Sequence, residues 1–165
     1  MKQIKLVNLE AVTEEEAAEY SRREAARAIV FDENNSIALL HATKNGYFKL
    51  PGGGIEKGED TMTALKRECR EEIGCDIEVI KELGVIREYR KKYKLNQISY
   101  CFIAKVIGSK GIPHLMEDEI AEGFEVVWMP IAEAKTKVAQ GLQDMYEAPY
   151  MISRDLAFIE EAMYQ

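Results

Sequence analysis

The segment from Asp60 to Gly74 is the part of the sequence that most restricts the fold. Asp60 is a residue type that caps the first turn of helices, and Gly74 stands where a glycine often ends one. Apolar residues recur between them at spacings of three, four and four: Met62, Leu65, Cys69 and Ile73. This spacing predicts an amphipathic helix, whose apolar stripe must be buried against another layer, and we expect that layer to be a sheet.

A second stripe on the same predicted helix is acidic. Glu68, Glu71 and Glu72 are spaced i, i+3 and i+4, which brings their side chains within about one helical turn. Carboxylates this close repel one another, so the pattern predicts a positive partner among them. Carboxylate oxygens suit Mg²⁺ or Mn²⁺, which also bind phosphates. The alternative is a solvated helix face, on which Lys66 and Arg70 screen the acids.

Three glycines precede this helix. Gly52, Gly53 and Gly54 follow a short predicted strand, "YFKLP", and lead into "IEKGE" before the helix begins. Because glycine has no side chain, such a loop lets the backbone approach a ligand closely. A simple turn is the alternative interpretation.

The remaining sequence alternates between predicted strands and helices. Strands are expected in a hairpin at residues 25–43 and at residues 77–89, 98–106 and 124–130. Helices are expected at residues 13–20, where Thr13 and Glu16 form a capping-box pattern, at 131–141, and from Pro149 onward. Alternate apolar positions in 98–106 favour a strand buried on one face. The layout predicts an α/β sandwich with a mixed sheet.

Length and composition limit the class of protein. With 165 residues, of which 47% are hydrophobic, the chain suffices for a single domain with a sizeable core. Its apolar runs are too short to cross a bilayer and its start lacks a signal-peptide core, so we expect a soluble, cytoplasmic protein. Its three cysteines match no zinc spacing, as is typical of a reducing compartment.

The net charge of −7 argues against polymeric nucleic acid as the main partner, because that binding depends on Lys and Arg neutralising phosphates. A small anionic ligand bridged by a metal ion is compatible with this charge.

Residues 53–75 resemble the Nudix box, G-x5-E-x7-R-E-U-x-E-E-x-G-U, in which U is a bulky apolar residue. All seven fixed letters agree: Gly53, Glu59, Arg67, Glu68, Glu71, Glu72 and Gly74. Cys69 and Cys75 take the two U positions, where we expect slightly looser packing and unchanged chemistry, since buried cysteine behaves as a small hydrophobe.

The resemblance implies a Nudix (MutT-like) hydrolase. Its fold would be a Nudix-type α/β/α sandwich with a central mixed β-sheet, formed by residues 1–165 as one domain. Such an enzyme cleaves the pyrophosphate bond of a nucleoside diphosphate linked to another group, with Mg²⁺ or Mn²⁺ as cofactor. We expect a small nucleotide substrate of the nucleoside triphosphate, oxidised nucleotide or dinucleoside polyphosphate type.

The resemblance also assigns expected roles to individual residues. Glu68, Glu71 and Glu72 would bind the metal, with Gly53 offering a backbone carbonyl. Arg67 would orient carboxylates, or serve the structure only. Glu59 would reach the metal through water, or only complement the helix dipole. Glu119 and Glu122, in a predicted loop, are the candidates for the general base, and the alternative for both is a solvated loop acid.

Substrate-binding candidates lie outside the box. Tyr47 and Phe48 precede the glycines and would border a nucleotide pocket, while Arg87 and Tyr93 belong to the basic segment "REYRKKYK". This segment would hold phosphates and stack on a base, or form a solvated hairpin tip. In the family, a tyrosine some way after the box is typical of dinucleoside polyphosphate hydrolases, and a proline there is typical of ADP-ribose hydrolases. Tyr93 therefore favours a substrate other than ADP-ribose.

Two other functions stay open at this point. One is a regulatory Nudix module that binds nucleotides without catalysis, which the intact acids disfavour. The other is a decapping-type enzyme acting on RNA ends, which the net charge disfavours. Many members of the family form dimers, so the resemblance also allows a homodimer.

Overall fold

A computed structural model describes residues 1–141 and 144–164 of the chain. The strands are β1 Gln3–Val7, β2 Ser21–Phe31, β3 Ser36–Ala42, β4 Tyr47–Lys49, β5 Gly52–Gly54, β6 Asp76–Arg90, β7 Leu95–Ile107 and β8 Phe124–Pro130. The helices are α1 Glu14–Ala18, α2 Thr61–Ile73, α3 Glu117–Glu122, α4 Ile131–Ala139 and α5 Ala148–Met163. A short 3₁₀ turn, Lys91–Tyr93, joins β6 to β7.

The strands form one mixed sheet with the order β1-β6-β7-β2-β3-β4, to which β5 is added beside β2 and β8 beside β3. Two pairs are parallel, β1 with β6 and β2 with β7, and the other pairs are antiparallel. The predicted mixed sheet is therefore confirmed.

Helices cover both faces of this sheet. Helix α2 packs its buried residues Leu65, Cys69 and Ile73 on one face. Helices α4 and α5 cover the other face, to which α5 contributes Phe158 and Ile159. The result is an α/β/α sandwich, as expected. All three cysteines are buried and unpaired, so they serve as small core residues.

Helix α2 forms where the sequence predicts it. The Asp60 carboxylate accepts a hydrogen bond of 2.7 Å from the Thr63 backbone N–H, which caps the first turn. Gly74 ends the helix with φ 65°, a left-handed conformation that favours glycine. One member of the predicted apolar stripe differs, because Met62 in the first turn is 36% exposed.

Strand β7 corrects the prediction of burial on one face. Phe102 and Ala104 pack on the α2 side of the sheet, whereas Cys101 packs with α4 and α5 on the other side. The strand is central, so both faces are covered, and alternation within a mostly apolar run does not reveal this.

The predicted hairpin is present, but its strands pair differently from a simple hairpin. Strands β2 and β3 pair at Phe31 and Ile37, beside a turn in which Asp32 Oδ1 accepts hydrogen bonds of 2.9 Å from the backbone N–H groups of Asn34 and Ser36. Nearer its N-terminus β2 pairs with the glycines of β5, and on its other side with β7.

Three elements are not predicted by the sequence patterns: β1, α3 and β5, whose glycines pair with β2 where a loop or turn is expected. The residues of α3 were assigned to a loop, which is wrong, since Glu119 and Glu122 both lie in this short helix. In the described residues, no helix combines the length and the apolar character that a membrane crossing requires.

Candidate active site

A cavity of about 430 Å³ lies between α2, β5, β2 and the beginning of α3, with α5 contributing at one side. The acidic stripe of α2 lines it. The Glu72 side chain is the most buried, at 3% exposed, followed by Glu68 at 13% and Glu71 at 35%. The structure thus brings the three predicted metal-binding glutamates together at one cavity, with Gly53 in its wall.

Glu72 lies at the base of the site. Its Oε1 is 3.2 Å from Lys49 Nζ, and its Oε2 accepts a hydrogen bond of 2.5 Å from the Gly52 backbone N–H. Burial raises the pKa of this carboxyl to about 7, although Lys49 and Gly52 both favour the charged form. Glu72 is therefore able to hold or release a proton near neutral pH.

Glu68 lies against Gly53. A Cβ at position 53 would be 2.4 Å from Glu68 Oε1, so a residue with a side chain would displace this carboxylate. Burial raises the pKa of Glu68, and its hydrogen bond with Arg67 opposes the rise. The glycine that the box requires is thus explained by the space that Glu68 occupies.

Arg67 lies near the middle of α2 and binds three acidic side chains. Its Nη1 donates to Glu68 Oε1 at 2.9 Å and to Glu71 Oε2 at 3.1 Å. Its Nε and Nη2 donate to the two oxygens of Glu59 at 2.9 and 3.0 Å, and Nη2 also donates to the Gly54 carbonyl at 3.0 Å. One guanidinium therefore joins three carboxylates to the glycine strand.

Glu59 has both of its oxygens engaged by Arg67, and its Oε2 also accepts from the Glu56 backbone N–H at 3.1 Å. The hydrogen bonds from Arg67 lower the pKa of Glu59. In this arrangement Glu59 orients Arg67, which differs from both roles considered for it from the sequence.

The two general-base candidates separate in the structure. Glu119 lines the cavity, where its Oε2 accepts a hydrogen bond of 2.8 Å from the Met116 backbone N–H. Glu122 does not line the cavity, and its Oε2 accepts a hydrogen bond of 2.7 Å from Tyr47 Oη. The geometry therefore favours Glu119.

The four predicted substrate-binding residues are not among those that line the cavity. Tyr47 is a buried core residue, and Phe48 stacks on His41 with ring centroids 4.2 Å apart. Tyr93 lies at the tip of the β6–β7 hairpin and donates a hydrogen bond to Glu147, and Arg87 lies within β6. The structure does not bring these side chains to the carboxylates.

Cationic side chains that the sequence analysis missed also line the cavity: Arg23 and Arg27 of β2, Lys49 of β4 and Arg154 of α5. Arg27 interrupts the apolar run "AARAIVF", and a charge inside a predicted buried strand is a signal that sequence alone offers. Arg154 carries no comparable signal, because charged residues are ordinary in a helix.

The donor set suits a hard divalent cation, since it consists of carboxylate oxygens beside backbone carbonyls. In the described part of the chain, no three acidic, histidine or cysteine side chains converge closely enough to enclose an ion as they stand. Glu68 and Glu71 point their oxygens at Arg67 instead. An ion would compete with Arg67 for these oxygens.

Comparisons with known proteins agree with this architecture. The family model described as "NUDIX domain" matches residues 21–148. An ADP-ribose pyrophosphatase of Methanocaldococcus jannaschii is 36% identical over 84 residues, which are 49% of this chain and 50% of that protein. The 8-oxo-dGDP phosphatase NUDT18 of Mus musculus is 23% identical over 140 residues, which are 83% of this chain and 40% of that protein.

The chain thus spans half or less of the length of these curated relatives. Among solved structures, a NUDIX hydrolase from Nitrosomonas europaea superimposes with a TM-score of 0.65 at 18% identity, covering 87% of this chain and 90% of that one. This likeness shows the shared fold. Because the family model covers most of the sequence, including the complete box, the chain belongs to the Nudix family.

Proposed function

We propose that this chain is a metal-dependent pyrophosphohydrolase, which cleaves the P–O–P bond of a small nucleoside diphosphate derivative. The observation that carries the proposal is the convergence of Glu68, Glu71 and Glu72 on one cavity beside a glycine strand. Helix packing alone does not require three acids there, and in the chain itself Arg67 and Lys49 are the cations that offset the cost of burying them.

Glu68, Glu71 and Glu72, with the Gly53 carbonyl, would hold Mg²⁺ or Mn²⁺, which when bound supplies positive charge to the phosphate oxygens and the leaving group. The remaining steps use side chains of the chain itself. Arg67 orients Glu68 and Glu71 through its hydrogen bonds. Lys49 adds positive charge beside Glu72, which lies within the same cavity.

Glu119 is proposed to take the proton from the attacking water. It is the general-base candidate that lines the cavity, whereas Glu122 is bonded to Tyr47. We expect Glu119→Gln to lower kcat strongly with little change in KM, because it removes proton transfer and leaves substrate binding intact. The matched change Glu122→Gln should leave kcat near that of the unaltered protein. A strong loss of kcat in Glu122→Gln with little change in Glu119→Gln would contradict the assignment of Glu119 as general base.

The substrate is proposed to be a small nucleotide. The names of the relatives include an ADP-ribose pyrophosphatase and an 8-oxo-dGDP phosphatase. Because Tyr93 is not among the residues that line the cavity, the sequence argument against ADP-ribose gains no support from the cavity lining. A substrate panel therefore has to include ADP-ribose beside nucleoside triphosphates, oxidised nucleotides and dinucleoside polyphosphates.

The test is release of phosphate or nucleotide products from this panel with Mg²⁺, Mn²⁺ or EDTA. We expect turnover of at least one substrate with metal, none with EDTA, and a loss of about a hundredfold or more in Glu72→Gln. Glu78→Gln, an exposed carboxylate on β6, is the matched control and should retain activity. Nucleotide binding without turnover by the unaltered protein would instead indicate a regulatory module.

A further inference from the structure

Two buried arginines, Arg27 and Arg154, form a feature of the cavity that the carboxylate chemistry does not use. Arg27 projects from the central strand β2 and is 6% exposed, and Arg154 projects from α5 and is 1% exposed. Both line the same cavity as the three glutamates. We call these two residues the arginine pair.

Each member of the arginine pair has an N–H group without an acceptor. Arg27 donates through Nη1 to the Gly52 carbonyl, but its buried Nε has no hydrogen-bond partner. Arg154 donates through Nε to Asp155 at 2.6 Å and lies 3.5 Å from Glu88 through Nη1, but its buried Nη2 has none. Two other buried atoms outside the cavity lining, Arg90 Nε and Asn96 Oδ1, also lack partners, so the unpaired N–H groups support a ligand only together with the charges that line the cavity.

The charge of Arg27 also indicates an anionic ligand. Within the described residues, it forms no ion pair, although Glu72, Glu88 and Asp155 act on it over longer distances. Burial, and then repulsion by Arg154, lower the pKa of Arg27 to about 10, so it remains charged at neutral pH. A buried charge without a bonded counterion is unfavourable, and an anion in the cavity would relieve both the burial and the repulsion.

Phosphate is the anion that best fits this arrangement. A guanidinium is a planar fork of donors that matches two phosphate oxygens, and two such groups match a doubly charged terminal phosphate. The exposed Arg23 adds a third guanidinium to the lining of the same cavity, where it donates to Gln97 Oε1 at 2.9 Å. In this arrangement the arginines bind the terminal phosphate, and the carboxylates with a metal ion would bind at the P–O–P bond that is cleaved.

We propose that the arginine pair binds a terminal phosphate group, and that the protein therefore prefers nucleoside di- or triphosphates to nucleotides capped at both ends, such as ADP-ribose. This inference rests on the proposed hydrolase for its substrate preference. Its binding step is independent of hydrolysis. A purely structural role for Arg27, holding the Gly52 carbonyl, would instead affect all substrates alike.

The first experiment measures binding of inorganic phosphate and pyrophosphate in EDTA by calorimetry and by thermal shift, at matched ionic strength. The unaltered protein should bind and be stabilised, and Arg27→Gln should weaken binding about tenfold or more, because it removes a charged, bidentate donor. Arg22→Gln is the matched control, since Arg22 lies on the same strand and is exposed outside the cavity. Arg154→Lys is a second variant that keeps the charge facing Glu88 and Asp155 but lacks the free Nη2.

The second experiment compares kcat/KM for a nucleoside triphosphate with kcat/KM for ADP-ribose. In Arg27→Gln or Arg154→Lys, the value for the triphosphate should fall at least about tenfold more than the value for ADP-ribose. Equal losses for both substrates, or no phosphate binding by the unaltered protein in EDTA, would overturn the proposal. Phosphate binding without turnover of any nucleotide would support the arginine site and refute the hydrolase, so the two failures are distinguishable.

Discussion

Replacing Glu72 with glutamine should stabilise the metal-free protein, even though it removes a residue proposed to be essential. Burial raises the pKa of Glu72 from 4.5 to about 7 in the folded chain. The folded state therefore holds this proton more tightly than the unfolded state. Stability contributed by the protonated form is fully present below pH 4.5 and is lost as the pH rises toward 7.

The size of the effect follows from the shift of about 2.5 pKa units, which corresponds to roughly 3 kcal/mol at pH 8 and to less than about 1 kcal/mol at pH 5. The opposing effects of Lys49 and Gly52 are already contained in the pKa near 7. Glutamine is uncharged like the protonated acid, so Glu72→Gln should gain up to this amount, reduced by the contact of its NH2 group with one of the two donors, Lys49 or Gly52. For a chain of 165 residues, 3 kcal/mol corresponds to a rise in Tm of roughly 6 to 12 °C.

The assay is thermal unfolding of the unaltered protein, Glu72→Gln and the control Glu78→Gln in EDTA at pH 5 and pH 8. Glu72→Gln should unfold at a higher temperature at pH 8, and the difference should fall to about a third or less at pH 5. Added Mg²⁺ should stabilise the unaltered protein and the control more than Glu72→Gln, because a bound ion shifts the folding equilibrium by mass action. A Glu72→Gln variant that is less stable than the unaltered protein at pH 8 in EDTA would refute the reasoning.

Three further changes test the parts that position the carboxylates. Gly53→Ala places a Cβ about where Glu68 lies, so we expect activity to fall about tenfold or more while Tm changes little, as measured by turnover and thermal unfolding. Arg67→Lys removes the guanidinium that joins Glu59, Glu68 and the glycine strand. It should lower kcat more than it raises KM in steady-state kinetics, and an unchanged kcat would contradict this. Asp60→Ala removes the cap of α2 and should cost about 1 kcal/mol in denaturant unfolding, whereas Asp60→Asn should cost less.

Local patterns predicted the parts of the fold that depend on neighbouring residues. Helix α2 was predicted within a residue at each end because its cap, its periodicity and its final glycine lie in one short segment. The convergence of the three glutamates follows from the same helical spacing. Their common burial depends on β5 and β2, but the glycines that allow it are also visible in the sequence.

Features that depend on distant pairing were not predictable in the same way. Strand β2 pairs in parallel with β7, from Ser21 opposite Leu95 to Phe31 opposite Lys105, and no local pattern specifies that partner. The pairing of β6 with β7 places Tyr93 at the tip of a long hairpin, where it is not among the residues that line the cavity. Arg154 reaches the site only because α5 packs back across the sheet, so its contribution was invisible from the sequence.

The backbone of Gly52 connects the acid Glu72 with the cation Arg27. Its N–H group donates to Glu72 and its carbonyl accepts from Arg27. Its φ of 127° is a conformation that residues with side chains rarely adopt, and an added Cβ would overlap the Ala26 carbonyl oxygen. The most buried of the three stripe glutamates is therefore held in place by the central strand as well as by its own helix. Changes at lining residues without a proposed catalytic role, such as Met116, Asp118 and Met151, can thus alter which molecules enter without moving that acid, so substrate range and the proposed hydrolytic centre are free to diverge separately during evolution.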